Sequence, residues 1–517
     1  MVIGKEHIRE KALFFTFLIL IPYLLFNVGF FSDDFSDMAG LKNRSLLHII
    51  FPINSPFLSI PVAHYTTYIW YYFCEIDNYL VVSIVKIIYS LLSFYLISRF
   101  FSIFLKPFNA LMVSAIFLLF PSHDSTVYFL QNYYLTLSIA FYLYSYYLAH
   151  RNKLKLAFIF AILGSFISYG SFPVALALFI LFLLHKEYKK GAIIFIPDII
   201  YSCYYIVVTT IMGLGTPRVL ETSSLIDLIK QFILQIATFC DAVFGPSIWL
   251  KIYFAFFQLS VPSLIIGVVV TIIFYKTYED IYDRYNPKLL KSFVVLTIGA
   301  FVIFAVTGRY PQLAFNLGNR TTIFGSLLIS YLLILIPVNK KWKTLAFAVF
   351  IFTVLGISDH WKNCDFQQQQ VIKNIINNED LKDYTAKRVI YVSGNQYSKY
   401  GPISHIEFLS ETWVPQSIFN LAFKKDIYAV TINKRHVYED GYLIDTKYNT
   451  KAEVNDYINV YDSGNDRLLT LNVEEINSYI DSLPPENRHW IMLSDNRLIR
   501  FARTLVLKLM PRLEYAL

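Results

Sequence analysis

The stretch Phe31-Ser32-Asp33-Asp34-Phe35-Ser36-Asp37 follows directly on the uncharged run Ala12–Phe31. A helix of about 20 residues crosses the roughly 30 Å hydrocarbon core of a bilayer. Three carboxylates so close to a membrane surface are costly unless they face water or work in a cavity. No small-residue cleavage site precedes the acidic cluster. The run therefore reads as a retained helix and not as a removed signal peptide.

Composition extends that reading to the whole chain. Of 517 residues, 56% are hydrophobic and 16% charged, and the mean hydropathy is +0.48, which points to a multi-pass membrane protein. Aromatic residues make up 18%, as expected where rings crowd membrane interfaces. The net charge of +8 comes in short clusters between apolar runs, a topology signal that excludes a nucleic-acid patch. Cys74, Cys203, Cys240 and Cys364 have neither zinc-site nor disulfide-framework spacing.

Apolar segments capable of spanning fall at about 12–31, 79–98, 107–121, 133–149, 156–168, 172–184, 193–213, 255–275, 292–307, 321–337 and 344–358. The pair 156–168 and 172–184 also reads as one long helix broken at Gly170-Ser171-Phe172-Pro173. Basic clusters test the count. Lys5, Arg9 and Lys11, then Arg99 and Lys106, then Arg151, Lys153 and Lys155 fall on alternate loops, as do Lys186, Lys189 and Lys190, then Lys276, Arg284, Lys288 and Lys291, and finally Lys340, Lys341 and Lys343. With a cytoplasmic N-terminus all of them land inside, which satisfies the positive-inside tendency. The expectation is about eleven spans over residues 1–358 in a plasma (inner) membrane. Loops 32–78, 122–132, 214–254 and 308–320 then lie outside, together with residues 359–517.

Two outer loops read as helices on the membrane surface, 41–78 and 224–245. Past Trp361 a polar helix continues the last span to Asn378. Strand-like runs follow at Arg388–Val392 and Asp426–Ile432, with a turn signal at Glu439-Asp440-Gly441, and predict an extracytoplasmic α+β domain.

Candidate chemistry gathers on the outer side. A carboxylate near the membrane surface, Asp33 or Asp34, can take a proton from a hydroxyl, and a second one can orient the first or help hold a divalent metal. Taken alone, such a pair is a wet loop. Arg309 and Arg320 run against the charge bias of their loop and suit bidentate phosphate contacts, or lipid headgroups. Lys86, inside the second span near its outer end, either snorkels outward or neutralises an anion in a cavity. His64, His123 and Asp124 fall on the same side, while Asp198, behind Pro197, reads as structural.

This pattern resembles the GT-C superfamily of membrane glycosyltransferases, in particular its protein mannosyltransferase-like members. The likeness lies in the acidic pair after the first helix, Asp33-Asp34; in Pro61-Val62-Ala63-His64-Tyr65 leading to the second span; in Pro121-Ser122-His123-Asp124; and in Gly308-Arg309-Tyr310. A weaker parallel is Asp359-His360-Trp361 leading into the outer domain. The resemblance implies sugar transfer from a polyprenyl-phosphate carrier to an extracytoplasmic glycan, lipid or protein acceptor, as in building a cell-envelope glycan. It implies an outer-loop Asp as base, Arg309, or else Arg320 or Lys86, on the carrier phosphate, and His64, His123 and Asp124 lining the site. The chain lacks the tetratricopeptide repeat and the WWD motif of some members, which leaves the acceptor open. A lipid-linked glycan polymerase or ligase, and a polyprenyl-linked sugar transporter or flippase, are the rival readings.

Overall fold

The computed structural model describes residues 2–52, 55–214, 224–279, 283–308, 311–384, 388–424 and 427–515. Helices of eight or more residues are numbered in chain order. In the first part these are α1 (Val2–Leu25), α2 (Asp33–Lys42), α3 (Leu80–Phe101), α4 (Pro107–Leu118), α5 (Tyr133–His150), α6 (Leu154–Ser165) and α7 (Phe172–Leu184). Next come α8 (Tyr188–Ile206), α9 (Leu225–Val243), α10 (Pro246–Gln258), α11 (Val261–Thr277), α12 (Pro287–Thr307), α13 (Ile323–Leu335) and α14 (Lys340–Asn377). Six helical stretches among the described residues are long and apolar enough to cross a membrane: 80–101, 188–211, 225–258, 287–307, 317–335 and 340–377. Shorter apolar helices, among them α4, α6, α7 and α11, pack between them. The chain is a mostly helical membrane protein with a strand-containing C-terminal region.

Local sequence explains where these helices begin. The Asn286 side chain accepts the N–H groups of Lys288 and Leu289, the Asn339 side chain accepts that of Trp342, and the Ser260 hydroxyl accepts that of Ser263. Each satisfies donors that the first helical turn leaves free. At one end of the bundle Arg9 pairs with Glu279, and Asp283 accepts the Lys106 N–H and the Asn109 amide. The C-terminal region docks on the opposite end.

Several expectations are adjusted. The first helix starts at Val2 and stops at Leu25, not at Phe31. Residues 26–32 leave it as a strap, exposed at Phe26 and Asn27 and buried from Val28 on, with positive φ at Asn27 and Ser32, and the Lys86 ammonium takes the freed Val28 and Gly29 carbonyls. Residues 154–184 form two helices separated by a turn in which Ser168 accepts the Gly170 N–H. The surface helix expected at 224–245 is α9, which continues through an elbow at Phe244–Gly245 into α10. That pair is itself apolar enough to cross. Asp198 is structural as expected, accepting from Ser171 at 2.6 Å and Tyr142 at 3.3 Å.

Helix α14 runs 38 residues, about 57 Å, without a break across the domain boundary expected at 358–359. Past it, β1 (Ile390–Ser393), β2 (Tyr397–Tyr400) and β3 (Ile403–Glu407) lead to α15 (Trp413–Phe423) and β4 (Ala429–Thr431). Then come β5 (His436–Glu439), β6 (Tyr442–Asp445), β7 (Thr450–Glu453), β8 (Tyr457–Asp462), β9 (Arg467–Asn472), α16 (Val473–Ser482) and α17 (Arg497–Leu509). The main sheet has the order β4-β1-β8-β9, with β1 parallel to both neighbours and β9 antiparallel. The Asp440-Gly441 turn joins β5 to β6 with positive φ at both residues, the geometry that a two-residue hairpin requires. The expected strand at 388–392 is β1, and β4 covers the middle of the run expected at 426–432, whose first residue lies outside the described residues.

Candidate functional site

Asp33 and Asp34 open α2, where the helix dipole favours negative charge. One residue apart on a helix, they point about 100° away from each other, and their surroundings differ accordingly. Asp34 is fully buried. One oxygen accepts the Phe31 N–H at 3.0 Å, and Tyr71 donates to the other. Burial pushes its carboxyl up to about 7, against the pull of Lys86, Tyr71 and the Phe31 amide. Asp34 is thus a carboxylate that locks the 26–32 strap to the segment carrying Tyr71.

Asp33 is only partly buried. The Trp413 indole N–H, from the first turn of α15, donates to one of its oxygens at 2.6 Å. The second oxygen makes no hydrogen bond among the described residues. Burial raises its pKa, while the Trp413 hydrogen bond, Arg320 and Lys447 draw it back. Asp37 lies one turn further along the helix and accepts from Gln131 at 3.1 Å. Burial, together with Asp33 and Asp34, pushes its pKa well up. Arg320 donates to Asn132 at 2.7 Å, and Asn132 in turn bonds the Leu317 carbonyl, so the guanidinium is held at this same junction.

The facing wall comes from the C-terminal region. Glu411 accepts from Lys447 at 2.5 Å and from Tyr448 at 2.7 Å, and Arg435 stands 3.5 Å away. Burial works against its ionisation, but Lys447 and Arg435 hold it below the usual range for a glutamate. Asp445 accepts the Arg435 Nε–H through both oxygens at 3.1 Å. The result is a partly open carboxylate, Asp33, with cationic side chains from both parts of the chain in electrostatic reach. Such a carboxylate can accept a proton from a hydroxyl while fixed positive charge stabilises an anion beside it.

Other expected site residues lie elsewhere. Lys86 neither snorkels nor faces a substrate space. It is completely buried, donating to the Gly29 carbonyl at 2.5 Å and the Val28 carbonyl at 3.3 Å, with Asp34 and Asp365 as its electrostatic partners. The buried His64 ring bonds the Ile49 carbonyl at 2.7 Å and braces the surface segment. His123 bonds the Thr126 hydroxyl at 2.8 Å, and burial lowers its pKa to about 4. Arg309 lies outside the described residues. Among those residues no group of three or more His, Cys, Asp or Glu side chains is placed to hold a metal ion.

Asp124 sits at a second, sealed centre. Lys251 of α10 donates to one oxygen at 2.8 Å, where Asn319 also donates. Trp361 of α14 and His405 of β3 each donate to the other at 2.9 Å. The Asn316 N–H donates to His405 Nδ1 at 3.0 Å, so Nε2 carries the proton given to Asp124. His405 is therefore the neutral tautomer, which agrees with burial lowering its pKa. Burial disfavours the Asp124 carboxylate, yet Lys251 and His405 outweigh it and keep the carboxyl far below its usual range. Four elements meet at this one anion, which joins the C-terminal region to the helices.

Trp413, Lys251, His405, Glu411 and Lys447 escaped sequence reasoning, and Asp37 was read only as the third carboxylate of its stretch. Lys251 alone carried a signal, as a stray cation in an outer segment. No family model matches the sequence, and a search of curated proteins returns no significant match.

Proposed function

We propose that the chain is a membrane glycosyltransferase of GT-C type. It spans about eleven times with an outward C-terminal domain, and moves a sugar from a polyprenyl-phosphate carrier to an extracytoplasmic acceptor. The observation that carries the reading is the asymmetry of the acidic pair. Asp33 is partly open at the seam between helices and C-terminal region, whereas Asp34 is spent on the strap. Asp33 takes the proton of the acceptor hydroxyl as its oxygen bonds the anomeric carbon. The bond from that carbon to the phosphate oxygen breaks, and the carrier phosphate leaves already ionised, so no second acid is needed. Arg320 is the described cation best situated to bind that phosphate, with Arg309 of the same loop as its companion. A raised pKa suits Asp33 to accept a proton near neutral pH.

The test is transfer of radiolabelled sugar from polyprenyl-phosphate donors in membranes. Asp33→Asn is expected to slow transfer by about 10²–10⁴-fold, the usual worth of a general base. Asp34→Asn keeps measurable turnover but lowers thermal stability. Full activity in Asp33→Asn would overturn the assignment.

A further inference from the structure

We infer that α17 is an in-plane anchor that binds the surface of an anionic lipid bilayer. Its sequence, Arg497-Leu498-Ile499-Arg500-Phe501-Ala502-Arg503-Thr504-Leu505-Val506-Leu507-Lys508-Leu509, contains four basic residues and no acidic one. No residue of the helix is fully buried. Leu498, Phe501, Leu505 and Leu509 recur at helical spacing on one face and are 79%, 68%, 46% and 53% exposed. Ile499 and Val506 are half-buried, and Arg503 donates to the Met492 carbonyl at 3.1 Å, so the helix is held to the protein by its other flank. An uncovered apolar stripe bordered by Arg497 and Lys508, with Arg500 exposed on the polar side, is the chemistry of a helix lying at a headgroup boundary. Its charge complements anionic headgroups.

Position supports the same occupant. The residues just before α17 fasten it to the α9–α10 elbow, where His489 and Trp490 bond the two oxygens of Asp241 at 2.9 and 3.0 Å. At that elbow and along α10, Phe244, Trp249 and Phe257 are 60%, 63% and 69% exposed. Exposed rings of this kind belong at the interfacial level of a bilayer. The stripe of α17 thus starts beside an apolar surface that belongs to the membrane helices. A second copy is the poorer occupant, because two-fold pairing of this face would set its cations against each other.

The experiment uses the full chain in vesicles of phosphatidylcholine, with or without phosphatidylglycerol. The exposed Cys203 and Cys240 are replaced by serine, whereas Cys74 and Cys364 are buried. An environment-sensitive fluorophore is placed on Phe501→Cys or, separately, on Thr504→Cys at the polar side of the same helix. Spin-labelled lipid is expected to quench the first label several-fold more than the second, and more strongly with phosphatidylglycerol present. Adding Arg497→Glu and Lys508→Glu removes that phosphatidylglycerol increment. Leu505→Cys repeats the measurement at a second apolar site, in case the label at 501 disturbs the helix. Equal quenching at the apolar and polar positions would overturn the inference. So would lipid-independent shielding of both apolar positions, with crosslinking through them to another protein chain.

Discussion

Replacing Asp124 by Asn tests whether one buried anion holds the C-terminal region on the helices. Lys251 would then be left completely buried without its counter-ion, with the Ala314 carbonyl at 2.5 Å, the Phe315 ring centroid at 5.3 Å and at most a neutral amide oxygen as partners. Stranding one member of a buried ion pair costs about 3–5 kcal/mol. An Asn also presents an NH₂ to one of two donor pairs, Lys251 with Asn319 or Trp361 with His405. Each donor left facing it costs about 1–3 kcal/mol, not additively with the first term. A total near 4 kcal/mol is about 4 °C in thermal midpoint, at roughly 1 °C per kcal/mol for a chain of 517 residues, because the unfolding entropy grows with length. Detergent-purified protein followed by tryptophan fluorescence gives the midpoint, with Trp361 reporting from the centre itself. Lys251→Met in the Asp124→Asn background removes the stranded charge and should recover a substantial part of the loss. A single variant melting within about 2 °C of the wild type, or a double variant no better than the single, would refute the reasoning.

The same centre makes the docking acid-labile. His405 has a lowered pKa, so as pH falls through the ordinary histidine value of about 6.5 the unfolded chain takes up a proton that the folded one refuses. Asp124 has a depressed pKa, so its contribution is present above about pH 4 and fades as pH falls further. The raised carboxyls of Asp33, Asp34 and Asp37 pull the other way on acidification, so the effect is read as a difference: the wild-type midpoint relative to that of His405→Gln should fall as pH drops below about 6.5, and a difference that stays constant to about pH 4 would contradict this. At the candidate site the Trp413 hydrogen bond lowers the Asp33 pKa. Trp413→Phe should therefore move the acid limb of the transfer rate to higher pH, whereas a merely structural role for Trp413 would lower the rate with the limb unmoved. Gly356 of α14 lies against the Ala255 carbonyl of α10 so closely that a Cβ would overlap it. Gly356→Ala should lower the thermal midpoint by forcing the two helices apart, and an unchanged midpoint would show that this contact is not tight.

Much of the helical scaffold was legible because apolar runs, prolines and Asn or Ser caps are local signals. The acidic stretch was legible as well, but which of its members matters was not. Asp33 and Asp34 are neighbours with the same chemistry, and only the strap at 26–32, Tyr71 and the Trp413 indole distinguish them. Lys86 misled for a related reason. A lysine near the end of an apolar run commonly snorkels, and nothing local shows that a helix ending at Leu25 leaves two carbonyls for it to satisfy.

The sequence alone determined the membrane class, most helix positions, and the change to strands beyond residue 388, because each depends on hydrophobic runs or backbone preferences within a few residues. Tertiary structure decided which charges meet. Asp124 gathers Lys251, Asn319, Trp361 and His405 from positions up to 281 residues away. Asp33 meets Trp413 across 380 residues. Buried charges and polar groups must be paired, but the pairing carries no local signature, and only the folded chain selects the partners.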